Sequence, residues 1–278
     1  MKRGLTCVLL MLALSACQRE AEAPQPRQDP AAPQSAADSP GAPEQSADAA
    51  PNLEDVIEHD PRYVIGISYP PEAKQYPGLA AELHRYAQAA REDLLEAVAN
   101  LGEGTPSAPY DLSLAFSVVA NTPRVVAIAA DGSSYTGGAH GNPLVARFVW
   151  LPRQQRLLRA QDLFDDQAGW QAVSDYVREQ LHAALSTRVE AEDLEPAERS
   201  QAIRAAGRMI DEGSGPEPDN FEQFEPVMGV DGRIRALRFV FPPYQVGPYA
   251  DGTRRVVVPA EVLAPYLAAP LRGLFASS

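Results

Sequence analysis

Residues 224–241 have the sequence FEPVMGVDGRIRALRFVF. Asp231-Gly232 lies between two runs of apolar residues. This dipeptide suits the tight turn of a β-hairpin because both of its residues tolerate positive φ angles. We therefore predict two antiparallel strands, Phe224 to Val230 and Arg233 to Phe241.

Further elements are predicted on both sides of this hairpin. Strands are expected where short β-prone runs lie between turn signals, at residues 62–69, 110–120, 124–130, 144–151, 245–250 and 253–258. Helices are expected where apolar residues recur at helical spacing, at residues 79–101, 170–185 and 196–210. The order of elements indicates an α+β fold, in which antiparallel sheet carries amphipathic helices on one side and two modules, residues 61–160 and 161–278, are intimately joined.

The first residues have the features of an export signal. Lys2 and Arg3 precede an apolar run that is shorter than the roughly 20 residues needed to span a bilayer. Residues 14–17, with the sequence LSAC, resemble the bacterial lipobox. The resemblance implies that residues 1–16 are a lipoprotein signal peptide. The alternative is an ordinary secretory signal that ends in a chance cysteine.

The lipobox resemblance also implies a membrane anchor and a location. Cys17 would carry a diacylglyceryl group and a further acyl chain such as palmitate, which together hold a protein stably on a membrane. Gln18 after the lipidated cysteine implies the periplasmic face of the outer membrane. Residues 17–60 are rich in Ala, Pro, Gln, Ser and acidic residues, and we expect a disordered tether there.

Composition excludes several classes of function. The chain has 24 Lys and Arg against 37 Asp and Glu, a net charge of -13, which disfavours nucleic acid as a partner. Cys7 would leave with the signal peptide and Cys17 would be acylated, so cysteine-based zinc or redox chemistry is excluded. We expect no cofactor and no metal, because the histidines at 59, 84 and 182 have no ligand spacing.

Two motifs carry a family resemblance. Residues 135–141 have the sequence YTGGAHG, and residues 239–252 have the sequence FVFPPYQVGPYADG. Their order resembles paired extracytoplasmic domains of unknown function. Such pairs occur in bacterial envelope lipoproteins, in lysozyme-sensing anti-sigma factors and beside peptidoglycan deacetylase domains.

The resemblance implies binding rather than catalysis. The chain shows neither a cytoplasmic sigma-binding segment nor a deacetylase domain, so the signalling and enzymatic activities of those relatives are not carried over. We expect a non-catalytic module that binds a lysozyme-like protein. The alternative is a protein that binds peptidoglycan or muropeptides.

The same motifs supply the candidate ligand-binding residues, which are Tyr135, Gly137, Gly138, His140, Tyr244 and Tyr249. The glycines permit a tight turn, and exposed tyrosines make good contacts for sugars or proteins. Structural roles in the turn and the core are the alternative interpretation. A hydrolase using His140 with Asp131 and Ser133 or Ser134 is a further, weaker alternative, because the chain has no G-x-S-x-G elbow.

Overall fold

The computed structural model describes residues 51, 53–102 and 104–276. Contacts group Asp48–Ser278 into one compact unit. The predicted signal peptide, Cys17 and the tether up to residue 50 lie outside the described residues. Within the part described, no helix is both long and apolar enough to cross a membrane.

A six-stranded sheet forms the first half of the unit. Its strands are β1 Val56–Asp60, β2 Tyr63–Ser68, β3 Tyr110–Asn121, β4 Val126–Tyr135, β5 Asn142–Leu151 and β6 Arg156–Leu157. They follow the chain order, and all neighbours are antiparallel except β2 and β3, which run parallel. A parallel pair needs a crossover, and helix α1, Pro77–Ala99, supplies it while burying Leu79, Leu83 and Leu94 against the sheet.

A three-stranded antiparallel sheet with its own helices forms the second half. Helix α2 begins after Asp166, whose carboxylate accepts hydrogen bonds from the backbone amides of Ala168 and Gly169. The helices are α2 Gln167–Ala191, α3 Pro196–Gly213 and α4 Ala260–Leu263, and the strands are β7 Phe224–Met228, β8 Ile234–Phe241 and β9 Arg254–Pro259. Short 3-10 helices span Pro71–Gln75, Ala160–Asp162, Pro218–Phe221, Tyr249–Asp251 and Ala269–Leu274. The predicted α+β fold class is confirmed.

A buried ion pair joins the two sheets. Arg147 on β5 donates from Nε to Oε2 of Glu225 on β7 at 2.9 Å, and the two side chains are only 2% and 7% exposed. Arg238 donates to the other oxygen of the Glu225 carboxylate at 2.6 Å, and Arg147 also reaches Asp131 at 3.0 Å. The backbone amide of Arg147 donates to the side chain of Gln223 at 2.7 Å. These directional contacts fix the position of β5 relative to β7.

The disordered tether predicted for residues 17–60 is wrong at its C-terminal end. Leu53 is 1% exposed in the core of the first half, and β1 pairs with β2 along its whole length. The Asp55 carboxylate accepts a hydrogen bond from the backbone amide of Tyr69 at 2.9 Å. The acidic residues of this segment do not prevent it from being ordered. The segment forms an edge strand of the sheet, and edge strands commonly carry charged side chains.

The strand predicted at residues 245–250 is also wrong. Residues 242–253 form a loop in which the amide of Tyr244 donates to the carbonyl of Gly247 at 2.9 Å, which closes a tight turn. The side-chain amide of Gln245 donates to the carbonyls of Gly213 and Asn220, at 2.9 Å and 2.8 Å. The prolines of this segment have no N–H group to donate to a ladder, so the turn prevails over strand pairing.

Candidate functional site

Two loops from different halves of the unit meet at the surface. Residues 136–141 connect β4 to β5, and residues 242–253 connect β8 to β9. His140 of the first loop stacks on Tyr249 of the second, with ring centroids 3.8 Å apart and planes 12° apart. The Tyr244 hydroxyl lies 2.9 Å from Nε2 of His140. We call these three residues, His140, Tyr244 and Tyr249, the ring cluster.

Hydrogen bonds fix the His140 ring in one orientation. Its Nδ1 lies 3.1 Å from the carbonyl oxygen of Gly141. A carbonyl can only accept, so Nδ1 is the donor in this contact, and in the tautomer that this assigns Nε2 accepts from the hydroxyl of Tyr244. The ring cluster is thus held by stacking and by one hydrogen bond between the loops.

The remaining predicted residues shape the first loop beside the cluster. Gly137 and Gly138 have φ angles of 97° and 99°, which side chains rarely permit. The Tyr135 hydroxyl donates to the Gly138 carbonyl at 3.3 Å. Within the described residues, no hydrogen bond or ring contact joins these three residues to the ring cluster.

Tyr244 combines exposure with a strained backbone. Its φ is 74°, in the left-handed region that disfavours residues with a Cβ atom, and the residue is 54% exposed. The two residues inside the turn, Gln245 and buried Val246, attach it to the rest of the fold. Backbone strain of this kind persists where the surrounding contacts hold the residue in place, and it is common at binding sites.

Asp251 holds the far end of the second loop. Its carboxylate pairs with Arg188 of α2 and, at 3.0 Å, with Arg254 of β9. Burial alone would raise the pKa of Asp251, but the hydrogen bonds from Arg188 and Arg254 outweigh it and lower the pKa below its ordinary value. The carboxylate therefore stays charged and keeps this loop in place.

The ring cluster is polar, and the loop residues around it, 136–143 and 242–250, contain no Asp, Glu, Lys or Arg. The charged residue of the second loop, Asp251, lies at its far end. No group of three or more His, Cys, Asp or Glu able to hold a metal occurs in the described residues. The arrangement offers aromatic faces, hydroxyls, one imidazole and backbone carbonyls.

The hydrolytic arrangement of Asp131, Ser133 or Ser134 and His140 does not form. Asp131 pairs with Arg147 instead, and the two ring nitrogens of His140 face Gly141 and Tyr244. A triad requires the base to lie between a nucleophile and an orienting carboxylate. No such chain of hydrogen bonds passes through His140 in the described residues.

Sequence reasoning missed the residues that support the site. Gln245 falls within the predicted strand at residues 245–250, and Asp251 falls between two predicted strands, so the pattern assigns neither a supporting role. One signal does point to Gln245. A long side-chain amide in a proline-rich segment can form hydrogen bonds with backbone groups of other segments. The partners of Asp251, Arg188 and Arg254, could not be paired with it from spacing alone.

Comparison with known families separates the chain into the same two halves. A family described as "Deacetylase PdaC" matches residues 49–143, and a protein family of unknown function, DUF3298, matches residues 161–261. Two regions of the chain thus match these two family models in this order, and the resemblance drawn from the two motifs is confirmed. His140 lies in the region similar to PdaC, and Tyr244 and Tyr249 lie in the region similar to DUF3298.

Solved structures of the DUF3298 family are similar to this chain. A member from Bacteroides fragilis is 18% identical, with 76% of this chain and 88% of that chain covered and a TM-score of 0.47. A member from Pseudomonas aeruginosa is 16% identical, with 82% and 99% covered and a TM-score of 0.44. No curated protein matches the sequence.

Proposed function

We propose that this protein is a non-catalytic binding module of the cell envelope, and that its ring cluster contacts the sugar rings of peptidoglycan. The observation that carries the proposal is the meeting of His140, Tyr244 and Tyr249 at the surface. These rings come from the two paired domains, and Tyr244 occupies a strained backbone position.

The chemistry of the ring cluster matches a saccharide. The C–H faces of a sugar pack against aromatic rings, while its hydroxyls bond to phenolic oxygens and carbonyls. Tyr244 and Tyr249 are 54% and 36% exposed, so the cluster is an open surface. An open surface suits a polymer that passes across it, whereas a small molecule is usually enclosed by its pocket.

The predicted lipid anchor fits this role. Lipidated at Cys17 and held by the acidic tether, the module would face the cell wall from the outer membrane. The cell wall would offer many binding sites close to a membrane-bound module. The effective concentration of these sites would be high, so weak individual contacts are sufficient.

Sedimentation of the full chain with purified peptidoglycan tests the proposal. The Tyr244→Ala/Tyr249→Ala variant should bind about tenfold more weakly, a loss of about 1.4 kcal/mol. Tyr266→Ala removes a tyrosine with 37% exposure outside the ring cluster and should bind like the wild type. Equal retention of all three proteins, with unchanged thermal unfolding, would refute the role of the cluster.

A lysozyme-like protein is the second candidate, and charge favours it. The net charge of -13 would accelerate encounter with a cationic protein. Mixing the full chain with lysozyme at low and moderate salt gives the comparison. Salt-sensitive binding that survives the double tyrosine substitution would favour this partner, and an absence of binding at both salts would eliminate it.

A further inference from the structure

We infer that a groove between α2 and β9 binds an extended acidic peptide of a partner protein, which adds a strand to the three-stranded sheet. The groove has a volume of about 440 Å³. It is lined by Gln180, Leu181 and Ala184 of α2 and by residues 253–257. This β9 groove shares no residue with the ring cluster, so the inference goes beyond the proposed function.

The lining indicates that the groove follows the edge of the strand. Side chains alternate between the two faces of a sheet, so four consecutive strand residues, 254–257, can line one groove along the strand's outer edge. β9 pairs with β8 on its other side, and within the described residues no further strand pairs with it. Such an edge offers backbone donors and acceptors to an incoming strand.

Charge identifies the partner as acidic. Arg254 and Arg255 line the β9 groove, and no acidic residue does. Arg254 contacts Asp251, while Arg255 is exposed and forms no ion pair among the described residues. Because Arg255 has no acidic partner of its own among those residues, this edge favours carboxylates on the incoming strand.

A small cavity next to the β9 groove provides a place for an apolar side chain. It has a volume of about 60 Å³ and shares Leu181, Ala184 and Arg254 with the groove. Leu185, Ala206, Ile210 and Val246 complete its apolar wall, and the ion pair of Arg188 with Asp251 closes one side. Because Asp251 already neutralises Arg188 there, the cavity suits an apolar side chain rather than a second carboxylate.

The expected ligand therefore alternates acidic and apolar residues. Strand addition takes its affinity from backbone hydrogen bonds and its selectivity from pockets for alternate side chains. Acidic side chains would reach the arginines, while the apolar side chains on the other face of the added strand would reach the cavity.

Fluorescence anisotropy with a labelled peptide of alternating valine and glutamate tests this inference on the full chain. We expect saturable binding of this peptide. A valine–lysine peptide should not bind, because its charge is reversed. A valine–glutamate peptide with N-methylated backbone should not bind either, because it lacks donors for the strand edge. Failure of the first peptide to bind, or equal binding of the N-methylated one, would overturn the inference.

Matched variants separate the β9 groove from general charge effects. Arg255→Glu should weaken binding about tenfold or more, whereas Arg235→Glu makes the same charge change at an exposed position of β8 and should have little effect. Equal effects of the two substitutions would contradict the groove. Tyr244→Ala/Tyr249→Ala should leave peptide binding unchanged, which keeps this test independent of the peptidoglycan proposal.

Discussion

Tyr244 keeps a large aromatic side chain in a backbone conformation that glycine would adopt more easily. Its φ of 74° costs on the order of 1–3 kcal/mol for a residue of this kind. The Tyr244 side chain gains one exposed hydrogen bond, to His140, and a tilted contact with the Tyr249 ring at 5.8 Å, and these contacts are comparable in size to that cost. The ring therefore adds little net stability, as expected for a residue that contacts a ligand.

Substitution of Tyr244 by glycine should separate stability from binding. Tyr244→Gly relieves the strain but adds flexibility to the unfolded chain, so we expect the free energy of unfolding to stay equal or rise by up to about 1 kcal/mol. Binding to peptidoglycan should nevertheless be lost. Urea unfolding monitors the first effect, with Tyr249→Ala as a control that relieves no strain. A decrease of more than about 1 kcal/mol for Tyr244→Gly would show that the ring is structural.

At the scale of elements, β1 shows how an acidic segment can belong to a fold. Ile57 is 77% exposed, and β1 also contains the two acidic residues Glu58 and Asp60, so its sequence pattern differs little from that of the tether before it. The strand is ordered by contacts with distant residues. Glu58, for example, accepts two hydrogen bonds from Arg91 of α1, at 2.9 Å and 3.1 Å.

Two substitutions in this segment should have opposite outcomes. Leu53→Ala removes a side chain that is 1% exposed and should lower the free energy of unfolding by about 2–5 kcal/mol. Ile57→Ala, close by on β1, should change it by less than about 0.5 kcal/mol because its side chain is largely exposed. Chemical denaturation of both variants measures the difference. Equal, small effects would mean that the fold begins after residue 60.

Most elements could be predicted because their patterns are local. Helix α1 and the β7–β8 hairpin follow from apolar spacing and from Asp231-Gly232, and both are confirmed. The strand at 245–250 failed because its outcome depends on the amide of Gln245 finding carbonyls in α3 and beyond. The motif residues could be named from the sequence, but the stacking of His140 on Tyr249 arises from tertiary packing.

At the scale of the whole folded unit, the ion pair of Arg147 and Glu225 is the main polar contact between the sheets. The sequence gives little sign of it. Arg147 does lie between the buried residues Ala146 and Phe148, which hints at a buried charge, but its partner is 78 residues away. A buried charge that loses its partner costs more than the pair contributes when intact.

A double-mutant cycle should reveal this coupling. Arg147→Met leaves Glu225 with Arg238 as a partner, and Glu225→Leu leaves Arg147 with Asp131. Each should therefore lower the free energy of unfolding by about 1.5–3 kcal/mol, the cost of a hydrogen bond between charged groups. The double variant should lose clearly less than the sum, since each single variant already removes the same contact between the sheets. Urea unfolding of the four proteins measures the coupling. Additive losses would show that the two charges act independently.

The ring cluster takes His140 from one domain and its tyrosines from the other, and this has a thermodynamic consequence. A ligand that holds all three rings binds only the state in which the two domains are docked. Binding and docking are then linked equilibria, so each strengthens the other by the same free energy. Occupation of the surface would make the two domains behave as one cooperative unit, and loosening the Arg147–Glu225 contact would weaken binding from a distance.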